Sequence, residues 1–364
     1  VILRDIIPDS LLLEQLGIRA FHQRFPWWGG DLQTLRDTLR PVALPLDKGQ
    51  PLEIEVPALS SGAAGSGALL AFMDYPPEPK ALVVLLHGLG GSSRREGLRR
   101  LGLSLAQNGY AVMRLNMRGA DPGRHLAGGT YAAQCNSDLL PVLNRARELC
   151  NSLGPAMTPL PLFGAGLSLG GTMLLNACYS TQAERLEAGL DPSICALDGL
   201  FCASSPLDLA ACSASIERPR NRIYQRWLLQ RLVRQTLADP FGVSDLENQE
   251  LRGAQQPRTI RAFDSTVTAP RWGFEDVNAY YREASPLQHL IQSPQQLPST
   301  LLLQALDDPW VPACSAIDLQ DALPKSQPIQ LMFTRQGGHN GFHGRAGCWA
   351  DDLAVSWFDQ LLGA

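Results

Sequence analysis

From Lys80 onward the chain repeats one pattern of polarity: a short continuous apolar run, then a helix-length segment of mixed character. The runs are "ALVVLLHG", "YAVMRLNMRG", "PLPLFGAG", "LDGLFCASS", "STLLLQAL" and "IQLMFTRQ". Strands that are apolar throughout are covered on both faces, so the pattern predicts an α/β protein with a mostly parallel central sheet flanked by helices. Right-handed crossovers bring the strand C-termini to one edge, where open α/β sheets place their ligands. Upstream, "PLEIEVPAL" alternates as a half-buried strand does, and "GALLAFMDY" follows it across "SSGAAGSG". Together they predict an antiparallel hairpin that opens the sheet. Earlier still, "FHQRFPWWGGDLQTLRDTLR" predicts a helix ending before Pro41.

One interval breaks the rhythm. Between Pro206 and Pro294 lie an Arg-rich amphipathic stretch, the polar text "SDLENQELRGAQQPRT" and the aromatic text "APRWGFEDVNAYYREASP". Too long for a bare connection, it predicts a helical cap inserted between strands. The expected division is an N-terminal arm over residues 1–45 draped on the main domain, core from 46–205, cap from 206–294, and core again from 295–364. A length of 364 residues suits one large domain with such an insertion.

Composition narrows the function. A hydrophobic fraction of 45% with 18% charged residues predicts a packed body and excludes wholesale disorder. A formal net charge of −4 supplies no basic field, which sets nucleic acid aside as a partner. Arginines do cluster in "SSRREGLRR" and "ERPRNRIYQRWLLQRLVRQ". They read first as solvated helix faces, with peripheral contact to an anionic headgroup or membrane surface as the alternative. Eight cysteines occur without a CxxC pair, in contexts such as "LNACYS", and predict buried thiols in a reducing, cytoplasmic setting, without a disulfide frame or metal site. No run approaches the roughly 18 apolar residues of a membrane span. The opening "VILRDIIPDSLLLEQ" lacks the basic region and long apolar core of a signal peptide.

The chemistry starts at "PLPLFGAGLSLGGTMLLNACYS", where an apolar strand runs through Gly166-Leu167-Ser168-Leu169-Gly170 into an apolar helix. G-x-S-x-G in that setting is a nucleophile elbow: flanking glycines let strand and helix approach while the serine takes a strained conformation. A bare Gly-rich packing turn is the plainer alternative. A nucleophilic serine needs a base, and the order Ser…Asp…His that accompanies such elbows places it after the last strand. There "IQLMFTRQGGHNGFHG" offers His339, with His343 as its rival; two glycines before His339 let the loop turn inward, which favours His339. The acid belongs after the penultimate strand, where "STLLLQALDDPWVPA" offers Asp307 and Asp308. Pro309 forces a turn directly after Asp308, which favours it as the acid and leaves Asp307 to cap the loop. In "ALVVLLHGLGGSSRREG" the strand ends at His87-Gly88, so the backbone N–H of Leu89, with that of Leu169, is assigned to an oxyanion hole. His87 is expected to pin this loop, and His125 to lie at the surface or the pocket edge. No Lys-Ser/Thr follows "GLGGSS", which excludes a nucleotide cradle.

At these residues the sequence resembles an α/β-hydrolase of the YheT-like branch, a group that includes eukaryotic α/β-hydrolase-domain lipases and yeast ethanol acyltransferases. The resemblance runs from Pro51 to the C-terminus on "HGLGGSS", "NMRGAD", "GLSLGGTMLLN", "RTIRAFDSTVTAPRWGFEDVNAYY", "ALDDPWVP" and "GGHNGF". It implies the α/β-hydrolase fold with Ser168, His339 and one of Asp307 and Asp308 as a triad. The superfamily habit of a proline four residues after the acid supports Asp308. The resemblance also implies that "FDSTVTAP" packs the cap onto the core, with Asp264 and Thr266 structural. Members usually read Arg-Gly-Cys where this chain has Arg118-Gly119-Ala120.

The expected activity is that of a serine carboxylester hydrolase working through an acyl-enzyme, without metal or cofactor. Trp227, Trp272, Phe274 and Trp310 are expected to line an acyl pocket for small-molecule esters of short or medium chain length. The competing expectations are lipase- or phospholipase-like action, acyl transfer to alcohols, and a non-catalytic ligand-binding or interaction protein on a hydrolase scaffold.

Overall fold

Eight strands form one sheet: β1 (Gln50–Val56), β2 (Gly67–Asp74), β3 (Leu82–Leu86), β4 (Ala111–Leu115), β5 (Leu162–Leu167), β6 (Gly199–Ala203), β7 (Ser299–Ala305) and β8 (Ile329–Thr334). The computed structural model describes residues 10–59, 67–154, 158–193, 195–253, 256–324 and 327–363. Across the sheet the order is β1-β2-β4-β3-β5-β6-β7-β8. β1 pairs antiparallel with β2, Val56 opposite Gly67, and β2 antiparallel with β4; every later pairing is parallel. The predicted hairpin and the six predicted parallel-sheet strands are therefore present. The connection over 60–66 and the opening nine residues lie outside the described residues.

The polarity of each strand explains its place. β1, at the edge, keeps the alternation of its sequence and buries only Ile54 and Val56. β3, β4 and β6 are buried along their whole length. Their alternate side chains feed two apolar layers. Leu82, Val84 and Leu86 join one cluster with the Asn136–Leu153 and Leu169–Cys178 helices. Val83 and Leu85 join the other with the Glu96–Gln107 and Trp349–Gly363 helices. The parallel strands end on one edge, and every polar residue singled out by its place after a strand lies in a loop there.

Residues 206–294 contain helices and no strand among the described residues, with Arg222–Leu237 the longest of them. Leu228, Leu232, Val233, Leu251, Phe263 and Val267 bury one another in a separate cluster. The N-terminal arm supplies the Gly29–Leu39 helix, which ends before Pro41.

An ion pair clamps the end of β4 to the Asn136–Leu153 helix. Arg118 donates from Nε and Nη2 to the two oxygens of Asp138 at 2.9 and 2.6 Å, and its side chain and that of Asp138 are almost wholly buried. The same guanidinium donates to the carbonyls of Gly128 and Pro57. Asp138→Ala leaves this cation buried without its anion, so it is expected to cost about 3–5 kcal/mol, read as a lowered urea midpoint. A loss below about 1 kcal/mol would show that the clamp is not needed.

Candidate active site

β5 ends at Leu167 and the Leu169–Cys178 helix starts at once, leaving Ser168 on the turn with φ 55° and ψ −127°. Positive φ is uncommon for a residue with a Cβ, and here it is enforced by neighbours that lie too close for anything but glycine. A Cβ on Gly166 would come within 2.3 Å of the Gly171 backbone, and one on Gly170 within 2.4 Å of the Leu86 carbonyl oxygen. The Ser168 N–H donates to the Ala203 carbonyl at 2.8 Å, tying the turn to β6. Oγ therefore stands at the C-terminal edge of the sheet, beside the positive end of a helix.

After β8, Gly337 and Gly338 turn the chain back with φ of 149° and 58°. His339 then lies with Nε2 2.9 Å from Ser168 Oγ and Nδ1 2.9 Å from Asp308 Oδ2. The Asp308 side chain is fully buried, and its other oxygen accepts the N–H groups of Trp310 and Val311 at 2.8 and 3.0 Å. With Asp308 Oδ2 facing Nδ1 as the acceptor, the ring presents Nε2 to Ser168 Oγ. The Trp310 ring packs against the imidazole at 4.5 Å between centroids. Asp307 points elsewhere: Oδ1 accepts the Gly338 N–H at 2.8 Å, capping the loop that carries His339. Two adjacent carboxylates thus hold the histidine loop, Asp308 by the His339 ring and Asp307 by the backbone of the preceding Gly338.

The loop after β3 closes the other side. Gly88 is pressed against Ser168, where a Cβ would sit 2.8 Å from the serine Cβ. Tyr131 fixes this loop, its hydroxyl accepting the Gly90 N–H at 2.6 Å and donating to the Gly88 carbonyl at 3.2 Å. Leu89 and Leu169 both line the cavity, and among the described residues neither N–H has a protein acceptor. Beneath them His87 donates from Nδ1 to the Gly88 carbonyl, and its Nε2 accepts the Met117 N–H. Burial pushes its pKa down to about 4, which keeps it neutral as that bonding requires.

A cavity of about 790 Å3 opens over Ser168 and His339, walled by the arm, the β3 loop and helices from 206–294. Trp227 and Trp310 line it. Trp272 and Phe274, expected beside them, do not: the Trp272 indole donates to the Thr130 carbonyl, and Phe274 packs on Tyr280 against the main core. Asp264, expected to be purely structural, reaches the cavity wall from a single π-helical turn over Asp264–Thr268. Its oxygens accept from Thr268 and Tyr281 at 2.7 and 2.8 Å, and burial raises its pKa to about 6. His125 is exposed and is not part of the wall. His343 lies away from Ser168, with Nε2 3.0 Å from Asp37.

What the sequence reading missed is that the arm reaches the site. The His339 N–H donates to Thr34 Oγ1 at 2.8 Å, and that hydroxyl donates to the Gly30 carbonyl at 2.6 Å. Gln33, fully buried, accepts the His343 N–H at 2.7 Å and donates to the carbonyls of His343 and Trp27. Asp37 meets Arg36 and Arg100 at 2.8 Å as well as His343. The signal was present in "DLQTLRDTL": Gln33, Arg36 and Asp37, spaced i, i+3, i+4, put polar groups on the face a helix usually buries.

This fold and this Ser-His-Asp geometry define an α/β-hydrolase. Residues 77–343 match the Hydrolase_4 family, described as serine aminopeptidase, S33, and the chain belongs to that family within its YheT-like branch. It is 30% identical over 307 residues to the esterase candidate YheT of Escherichia coli, covering 81% of this chain and 82% of that protein. It is 27% identical to the human phospholipase ABHD3, covering 74% of this chain and 60% of the relative, so the chain spans less than two thirds of that protein. With the medium-chain fatty acid ethyl ester synthase/esterase 2 of Saccharomyces cerevisiae it shares 26% identity over 77% of this chain and 62% of the relative.

Two outcomes follow. Thr34→Ala removes the acceptor for the His339 N–H; about a tenfold fall in kcat with KM little changed is expected, and Thr34→Ser should restore it. A Ser variant as impaired as the Ala variant would speak against the hydroxyl. For Asp264 the folded-state pKa, about 6, lies above the ordinary 3.8, so its contribution to stability falls as pH rises through that window. Asp264→Asn should gain stability relative to the parent between pH 4 and pH 7, by at most about 3 kcal/mol, in paired thermal melts. A difference independent of pH would remove this assignment.

Proposed function

We propose that this ester hydrolase of the α/β-hydrolase class is a serine carboxylester hydrolase, with Ser168 as nucleophile, His339 as base and then acid, and Asp308 as the group that fixes and stabilises the imidazolium. The observation that supports this most is the unbroken Asp308–His339–Ser168 chain, both links at 2.9 Å, opening on the cavity. His339 takes the Ser168 proton as Oγ bonds to the ester carbon. The carbonyl oxygen becomes an oxyanion facing the Leu89 and Leu169 N–H groups. Collapse expels the alcohol, which leaves with the proton from His339. Water then gives its proton to His339, attacks the acyl carbon and releases the acid, restoring Ser168.

The substrate range proposed is short- to medium-chain acyl esters. A volume of about 790 Å3 suits a ligand of drug size, and Leu209, Ile216, Leu228 and Ile260 give the wall an apolar character. Residues 206–294 are proposed to act as the cap that supplies all four of these. Among the described residues no helix is long and apolar enough to cross a membrane. The name of the yeast relative, synthase as well as esterase, favours a second reading in which an alcohol replaces water at the acyl-enzyme.

Ser168→Ala should abolish hydrolysis of a p-nitrophenyl ester panel, from acetate to decanoate, and labelling by a fluorophosphonate, while far-UV circular dichroism stays unchanged. Retained turnover in that variant would overturn the assignment. Product analysis of the wild type in ester–ethanol mixtures separates hydrolysis from transfer.

A further inference from the structure

Five side chains of Asp, Glu or Arg face the cavity: Asp37, Arg95, Glu96, Arg231 and Asp264. The three acids are already occupied. Asp37 is held by Arg36, Arg100 and His343, and Glu96 accepts from Arg36 and the Val42 N–H, both at 3.1 Å. Asp264 accepts from two hydroxyls, and its raised pKa keeps part of it protonated below neutrality.

The two arginines are in the opposite condition. Arg36, Arg100, Arg114 and Arg118 each meet a carboxylate at 3.1 Å or less. Arg95 and Arg231 meet none, and no hydrogen bond is made by either guanidinium among the described residues. Arg231 is half-buried on the Arg222–Leu237 helix, with its guanidinium 5.5 Å from the centre of the Trp227 ring. Its stem lies over Gly90, where a Cβ would be 3.1 Å from Cδ and 3.3 Å from Nε. Arg95 stands exposed where the Glu96–Gln107 helix begins, on the same loop five residues further on. A guanidinium is a planar fork of donors with no acceptor, suited to two oxygens of a phosphate or carboxylate. The cavity therefore combines an apolar wall with two uncompensated cations beside the loop that carries Leu89.

We infer that this cavity takes an amphiphilic ester whose polar end is anionic, a phosphate or a carboxylate, held by Arg95 and Arg231 while its chain lies along Leu209, Ile216, Leu228 and Ile260. The inference deepens the hydrolase reading by naming the substrate class, but the binding it describes is independent of Ser168 chemistry. It also gives a role to two members of the arginine clusters that the sequence offers as solvated faces.

The test is calorimetric binding to the whole chain of three non-hydrolysable probes below their aggregation limits: octyl phosphate, nonanoate and the neutral 1-octyl glycerol ether. At least one anionic probe should bind about tenfold or more tightly than the ether, and the gap should shrink with added salt. Which of the two anions leads identifies the headgroup. Arg231→Gln and Arg95→Gln should each narrow the gap, the double variant should close it, and the double Lys variant, which keeps both charges, should retain most of it. Equal binding of ether and anions, or a gap that survives in a folded double Gln variant, overturns the inference. Failure of the hydrolase reading shows separately, as ester turnover that persists in Ser168→Ala.

Discussion

The backbone of Ser168 is the constraint on which the rest of the site depends. A positive φ at the junction of β5 and its helix costs about 1–3 kcal/mol and persists only where the surroundings over-determine it. Here β3 on one side and β6 on the other hold β5 in parallel register, and Gly166 and Gly170 let the following helix sit almost on the strand ends. All ten residues of that helix are buried, so the turn cannot relax without opening the core. The strain is local, and what resists it is the packing of the whole sheet.

With Oγ fixed, the other groups must come to it, and each arrives from a different strand end. β7 delivers two carboxylates that divide the work of holding His339, and β8 delivers the histidine on a loop of two glycines. The positive φ values of that loop are held by side chains, which accept the backbone N–H groups at 338, 339, 340 and 343. Three regions of the chain supply them: Asp307, Ser204, and Thr34 with Gln33 from the arm.

The sheet was legible because its strands are apolar runs with clear breaks, and that signal depends only on burial. Ser168, His339 and Asp308 could be read as candidates because each follows a strand in the order of an elbow fold, and the choice between Asp307 and Asp308 turned on Pro309. Contacts set by tertiary geometry were not legible. Trp272 and Phe274 are aromatic and lie within the cap text, yet their neighbours turn them toward the core. The polar face that includes Gln33 marks the arm helix as making buried polar contacts, but nothing local to Gln33 or Thr34 says that the partner lies some 305–310 positions away. Arg95 and Arg231 look like solvated charge until the acids around them are seen to be taken.

The bonds between Gln33 and His343 have a consequence for the order in which the protein is made. The arm leaves the ribosome early, while its partner follows 310 residues later, about 15–60 s at ordinary translation speeds of about 5–20 residues per second. Until then Gln33 and Thr34 lack their partners on the histidine loop, although Arg36 and Asp37 can already meet Glu96 and Arg100, and the elbow of Ser168 exists without a braced histidine loop. A nascent chain can thus build most of its sheet while Ser168, Asp308 and His339 have yet to come together. Assembly of the site waits until two segments 310 residues apart have met.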